Sequence, residues 1–406
     1  MDTTIADGAD ARDTEERAML REAAARYVER DCPADARRAS MATADGFSRE
    51  RWAAFAEMGW LALGLPEDCG GLGDAGDAEV VAQALGRVAA VEPWLANVGL
   101  AAPALAWLHR PHTGTGDADR GLEPGSGGTV AASAAAHRAA LLAGLGEGRT
   151  LLALACWEPQ GRHDAFDVAT RAVRAGDGWV LDGTKTLVLG GGAADVLIVL
   201  ARESGDTRST EGLALFAVPC DAPGLARRSL PTYDGRQAAD LRLDGVRVPA
   251  DARLDSPGDA WSAVEHALDT ATALACAEAV GTMAAVIDAT RTYLQQRRQF
   301  GRPLAANQVL RHRLVDLWAA MEQSRAIAGA AVERLGDAPA ARRRAVSLAK
   351  AFVGPAARAC GEDGIQLHGA IGMTDELPFG QLAKRLIGFA NLLGDEAWHL
   401  ERLSGA

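Results

Sequence analysis

The chain has 406 residues, more than one hydrophobic core usually serves, so two or three domains are expected. Hydrophobic residues make up 48% but aromatics only 5%, and alanine is prominent; this favours helices packed through small side chains over a large β-sandwich. A net charge of −12 argues against non-specific binding to nucleic acid or to an anionic membrane surface.

The opening stretch, MDTTIADGADARDTEER, is polar and acidic with no apolar run, so no secretory leader is expected and the cytoplasm is the expected location. From residue 14 to about 110 the pattern is helical: Met19, Ala23, Tyr27 and Val28 recur at helical spacing, as do Trp52, Phe55, Met58 and Leu61. The Gly-rich run 67–77 separates these from a third helical stretch at 78–90. The longest uncharged stretch, Trp94 to Leu108, falls short of the ~20 residues that span a bilayer, so no membrane segment is expected. Residues 110–130 are rich in Gly, Pro, Asp and Thr and read as a surface insertion, bordered by His109 and His112, which read as solvated loop histidines. An N-terminal helical domain is thus expected over 1–150.

From Leu151 the period changes. Short β-rich segments at 151–156, 168–174, 179–181, 195–201, 213–218 and 241–248, with turn signals between them, predict a middle antiparallel β-barrel or sandwich domain over 151–255. Helices return after Pro257. Trp261, Val264, Leu268, Ala271, Ala275, Ala279, Met283 and Val286 begin a long helical stripe, and two more helices follow at about 310–335 and 340–367. Residues 256–406 therefore read as a C-terminal helical bundle, with Arg342-Arg343-Arg344 as a solvated face. The whole is an α+β multidomain chain. No GxGxxG stands at a strand-to-helix turn and no GxxxxGK[ST] occurs, which disfavours Rossmann and P-loop folds. Cys32, Cys69, Cys156, Cys220, Cys276 and Cys360 lie far apart without CxxC or zinc-type spacing; buried reduced thiols are expected, and no metal site.

The chemistry-bearing patch is TYLQQRRQFGRPLAANQ at 292–308, where a helix breaks at Gly301 beside Arg297, Arg298 and Phe300. Guanidinium forks at such a break match phosphate oxygens, although basic residues also favour helix C-termini for their own sake. Tyr293, Arg297, Gln299-Phe300-Gly301, Pro303 and Gln308 resemble the signature of acyl-CoA dehydrogenases. A second stretch, Gln366-Leu367-His368-Gly369-Ala370-Ile371-Gly372-Met373-Thr374 with Glu376 and Pro378, is similar to the same family's Q-x-x-G-G-x-G segment. Glu92-Pro93-Trp94-Leu95 and the Gly394-Asp395…His399 tail look most like the small subunits of pimeloyl-CoA dehydrogenase type.

The resemblance implies a helical domain, a β domain and a C-terminal four-helix bundle, FAD as cofactor, an acyl-CoA substrate and an electron-transfer flavoprotein as electron acceptor. It implies FAD contacts across a subunit interface from Arg297, Gln299, Phe300 and Gln308, and from Gln366, Leu367, Gly369 and Ala370. Departures stand out. The T-E-P-x-x-G-S-D element is Trp157-Glu158-Pro159-Gln160-Gly161-Arg162-His163-Asp164 here. Leu187 and Leu189 stand where an aromatic and a threonine would meet the flavin ring. The family's base falls near Leu393-Gly394-Asp395, making Asp395 the candidate, with Glu396 and Glu278 behind it; the family's other base position aligns with Ala271. These departures suggest a flavin-sharing subunit of a mixed oligomer, in the manner of a heterotetramer with a paralogous acyl-CoA dehydrogenase subunit. A homo-oligomeric enzyme using Asp395, a non-catalytic scaffold, and a flavin oxidase or monooxygenase of the same fold are the other readings.

Overall fold

The computed structural model describes residues 15–110, 127–374 and 377–405. Most of the expected insertion at 110–130 lies outside them, as do His112 and Glu376.

The first domain holds α1 (Glu15–Asp31), α2 (Ala34–Met41), α3 (Arg49–Glu57), α4 (Ala75–Arg87), a π-helical stretch Leu95–Ala101 running into α5 (Ala102–His109), and α6 (Gly127–Gly146). Asp74 and Asp77 form a reciprocal capping box that starts α4 out of the Gly-rich run.

The middle domain is a single seven-stranded sheet of β1 (Leu152–Ala155), β2 (Arg171–Ala175), β3 (Gly178–Leu189), β4 (Val196–Arg202), β5 (Leu213–Pro219), β6 (Leu225–Pro231) and β7 (Gln237–Pro249). Pairing is mostly antiparallel, in the order β1-β4-β2-β3-β7-β6 with β5 on β4; β1 runs parallel to β4. The period of two explains why β4 and β5 are apolar at nearly every position. Leu152, Leu154, Ile198, Leu200, Leu213 and Leu215 face the helices, while Ala153, Ala155, Leu197, Val199, Ala214 and Phe216 fill the sheet's own core.

The last domain consists of α7 (Ala260–Gln296), a hairpin of β8 (Arg298–Gln299) and β9 (Arg302–Pro303), α8 (Gln308–Glu333), α9 (Pro339–His368), α10 (Phe379–Phe389) and α11 (Glu396–Ser404). By length and composition α7 could cross a bilayer, but 89% of its most apolar window is buried inside the protein, as in a core helix. It packs against α4 at a distance that only glycine allows. A Cβ on Gly86 would lie 2.0 Å from the Glu278 carbonyl oxygen, and one on Gly281 would lie 1.9 Å from that of Gln83. Thr282 Oγ1 donates to the Gly86 carbonyl at 2.8 Å across the same seam.

One expectation is corrected. Of the presumed solvated cluster, only Arg344 is exposed; Arg342 is 1% exposed and Arg343 half-buried. The reason is two acids on α7: Arg342 Nε donates to Asp269 Oδ2 at 2.8 Å, and Arg343 to Glu265 Oε1 at 2.7 Å. All six cysteines are free, and all but the partly buried Cys220 are buried.

Candidate functional site

α7 ends at Gln296, and Arg297 leaves it in extended conformation. The chain then reverses through the two-residue turn Phe300-Gly301, with Arg298 paired to Pro303 and Gln299 to Arg302. Both turn residues have positive φ, +50° and +78°, as the tightest hairpin turns require. Glycine adopts this freely; phenylalanine at such a φ costs on the order of 1–3 kcal/mol, and strain of that kind gathers at ligand clamps. Phe300 is also 99% exposed. A strained, fully exposed aromatic gains nothing from this fold alone.

The second motif terminates α9. Gly369 leaves the helix at φ +68°, and Gln366, Gly369 and Ala370 are exposed while Leu367 packs into the core. The two motif segments adjoin: the Tyr293 ring stacks on His368 at 4.6 Å between centroids, and His368 lies 4.0 Å from Phe379. Burial lowers the His368 pKa, so the ring is neutral near pH 7 and its Nδ1–H donates to the Gly364 carbonyl at 2.9 Å. Arg297, Gln299, Phe300 and Gln308 are exposed at this end of the bundle.

Away from these segments, two cavities of about 490 Å³ each share the walls Trp157, His163 and Leu393. One is predominantly apolar and runs between the sheet and the α10–α11 connection, lined by Leu187, Leu189, Tyr233, Leu392 and, at a polar end, Arg236 and Asp234. Leu187 reaches it because a β-bulge between Lys185 and Val188 turns that residue outward at φ +50°, leaving it 56% exposed. The nearby hydrogen-bond donors are engaged: Thr186 Oγ1 donates to Asp240 Oδ1 at 2.8 Å, and the Leu187 N–H points to the same oxygen.

The second cavity lies between Trp157, Phe166, Trp261, Leu268 and Trp398, with Glu265 and Asp269 in its wall. Both acids are buried and both are neutralised. Asp269 stands 2.8 Å from Arg342 and 2.7 Å from Arg402; Glu265 is held by Arg343 at 2.7 Å. Asp164 bonds Arg208 at 2.8 Å. Glu401 also lines the space, exposed on α11. A carboxylate held by a guanidinium has its oxygens engaged and must give up that contact before it can take a proton from a substrate. Sequence reasoning missed Glu265 and Asp269; their i, i+4 spacing on α7 opposite three arginines was the available signal.

The candidate bases occupy other places. Asp395 is the N-cap of α11: its Oδ1 accepts the Trp398 N–H at 2.8 Å, and Oδ2 lies 3.9 Å from His163 Nε2. It belongs to the lining of neither cavity. Glu396 is exposed in the first turn of α11. Glu278 is buried and joined to Arg385 and, at 2.8 Å, to Arg236. Ala271 is fully buried. Beneath the shared wall, Glu158 accepts from Lys185 Nζ at 2.7 Å and from the N–H groups of Ala169 and Thr170. Burial alone would raise its pKa; these partners hold it at about 2.

The N-terminal, middle and C-terminal domain models of acyl-CoA dehydrogenase match residues 14–108, 153–246 and 258–404. Among curated proteins the chain is 30% identical over 237 residues to 3-sulfinopropanoyl-CoA desulfinase of Paraburkholderia xenovorans, covering 57% of this chain and 61% of that protein. It is 30% identical over 234 residues to cyclohex-1-ene-1-carbonyl-CoA dehydrogenase of Geobacter metallireducens, with coverage again of 57% and 61%. The matches thus span less than two thirds of these relatives' length. Among solved structures, the ChsE4–ChsE5 complex from Mycobacterium tuberculosis aligns with a TM-score of 0.80 and 25% identity over 97% of both chains. Butyryl-CoA dehydrogenase from Megasphaera elsdenii shares the fold at TM-score 0.82 and 21% identity, covering 100% of this chain and 99% of that one. With domain models in the same order as the three structural units and the two motif segments stacked together, the chain belongs to the acyl-CoA dehydrogenase family.

Proposed function

We propose that this chain is the flavin-sharing subunit of a heteromeric acyl-CoA dehydrogenase, working with a paralogous subunit on an acyl-CoA thioester. The observation that carries this reading is the state of the carboxylates. Among the described residues, the two buried acids facing the aromatic-lined cavity are bound to arginines, and Asp395 is spent on a helix cap. Abstraction of an α-proton needs a carboxylate free to accept it. Among the described acids of that cavity Glu401 alone, exposed to water on α11, is without an arginine; on this reading the partner supplies the base.

The residues present fit FAD in two places. The apolar cavity behind Leu187 and Leu189 has the walls for a flat ring system, and Leu189 itself offers no hydroxyl where the family resemblance expects a threonine. On this reading the strained Phe300 turn, with Arg297 and Gln299 beside it and Gln366 across the Tyr293–His368 stack, would hold a diphosphate and a flat base presented by another protomer. FAD, when bound, would accept the hydride from the acyl β-carbon. The residues of this chain would grip its diphosphate, flank its ring with aliphatic side chains and exclude water. α8 and α9 also expose Val309, Val315, Trp318, Leu348 and Phe352, consistent with association. The solved ChsE4–ChsE5 complex is a two-component assembly with this fold. The proposal extends to the small-subunit resemblance, to an electron-transfer flavoprotein as acceptor, and to a cytoplasmic location.

A homomeric enzyme is favoured by one observation: Glu401 lines the same cavity, exposed on α11 and without an ion pair among the described residues. The experiment that decides is expression alone and together with a paralogous subunit, with flavin-to-protein ratios. Flavin should be retained only in the co-expressed complex and should be lost with Arg297→Glu. Asp395→Asn, which keeps the helix cap, should leave turnover of the complex nearly unchanged. A flavin-loaded chain that turns over acyl-CoA by itself would overturn the heteromeric reading.

A further inference from the structure

The N-terminal domain holds a side-chain cluster that the flavin reading does not use. Asp68 and Cys69 end the short 3-10 turn Glu67–Cys69, and His109 ends α5. His109 Nε2 lies 2.8 Å from Asp68 Oδ2 and 3.7 Å from Cys69 Sγ, and the three donor atoms all fall within 4.8 Å of one another. His109 is not the solvated loop histidine its sequence context predicts: its side chain is 16% exposed, that of Asp68 70%. Its Nδ1 is buried without a hydrogen-bond partner among the described residues, so every polar contact of the ring passes through the edge facing the thiol and the carboxylate.

We propose that Asp68, Cys69 and His109 bind one divalent transition-metal ion of the zinc class, with water in the fourth position. The donor set is a thiolate, an imidazole and a carboxylate, the mixture that zinc and cobalt take in four-coordinate sites. Metal–ligand lengths of about 2.0–2.3 Å place tetrahedral nitrogen and sulfur ligands ~3.5 Å apart and nitrogen and oxygen ligands ~3.3 Å apart. The nitrogen–sulfur distance already matches. The carboxylate must retreat by about half an ångström from the hydrogen bond it now makes, which an exposed Asp68 side chain does freely. The thiol is preset: Cys69 is 5% exposed, its N–H bonds the Pro66 carbonyl at 2.9 Å, and Gly70 and Gly71 fold back onto Glu67 and Pro66. His109 stands at a helix C-terminus, where carbonyl dipoles favour a cation. The ion would clamp the Gly-rich turn to the end of α5.

The test is titration of the purified full chain with cobalt(II) under reducing conditions, read by absorption. A tetrahedral visible spectrum with a thiolate-to-cobalt charge-transfer band, saturating at one equivalent and bleached by zinc, is expected. Cys69→Ser should abolish the charge-transfer band. His109→Gln and the surface variant Asp68→Asn should each weaken binding, and these two decide the matter if the buried serine variant fails to fold. Zinc should raise the melting temperature of the parent chain and not that of His109→Gln. No bands, or bands unchanged in His109→Gln and Asp68→Asn, would overturn the proposal, the latter by assigning the metal to another thiol.

Discussion

Glu158 and Lys185 are a buried ion pair, both side chains about 1% exposed or less, under the wall that the two cavities share. Taking two charges out of water costs several kcal/mol each, so the pair persists only because every carboxylate lone pair is used: Lys185, two backbone N–H groups and Gln160 all donate to it. Removing one partner should therefore cost more than removing both. Lys185→Met is expected to lower stability by about 3–5 kcal/mol in chemical denaturation, and Lys185→Met with Glu158→Gln by clearly less. Equal losses would mean that the carboxylate is not left stranded. The same residue-scale reasoning gives Asp395 a structural part as the cap of α11. A side chain committed to the Trp398 N–H has a structural job, and asparagine performs it equally well.

The seam between α4 and α7 shows a conflict of magnitudes between elements. Gly281 in mid-helix costs up to about 1 kcal/mol of helix propensity relative to alanine. Alanine there would place its Cβ 1.9 Å from the Gln83 carbonyl oxygen, a backbone atom that can yield only by moving α4. Overpacking of that kind costs roughly 1–3 kcal/mol, so the clash wins. Gly281→Ala is expected to destabilise the chain despite its better propensity, seen as a lower denaturation midpoint; a rise would show that α4 has room to shift. The Phe300 hairpin is the reverse case. Its strain is not repaid within the chain, because the ring is fully exposed. A binding partner that covers Phe300 is what would repay it.

At the scale of the whole molecule, buried titratable groups set the response to acid. Burial, aided by Arg342 and Arg110, lowers the His266 pKa to about 3, and burial, aided by Lys350, does the same to His399. Both are neutral in the folded protein, whereas the unfolded chain protonates them near the ordinary value of 6.5. The unfolded state then binds more protons, and stability falls as pH drops from 6.5 towards 3. Asp255, raised by burial to about 6, takes up a proton while folded and offsets part of that loss between 6 and 3.8. Glu158 adds to it from about 4.5 down to about 2. The urea midpoint should therefore decline from pH 7 to pH 4.5, less so in His399→Gln. A flat profile would show that His266 and His399 charge without cost in the folded state.

Much of this protein was legible in its residues. The helical stripe of α7, the β-rich runs of β4 and β5 and the two motif segments are local patterns, and periodicity or spacing reveals them wherever the chain folds. β6 escaped notice because its Arg227 and Arg228 face solvent at the sheet edge, leaving too little apolar alternation to read. Arg342 read as a surface charge because sequence shows which helix face a residue shares, not what covers that face. The pairing of Glu265 and Asp269 with arginines from α9 and α11, the capping by Asp395, and the meeting of Asp68 and Cys69 with His109 depend on segments distant in the chain. Local chemistry determined the family, the element order and the two motif segments; only packing decided which carboxylates remain free, because a charge is defined by the neighbours that folding brings to it.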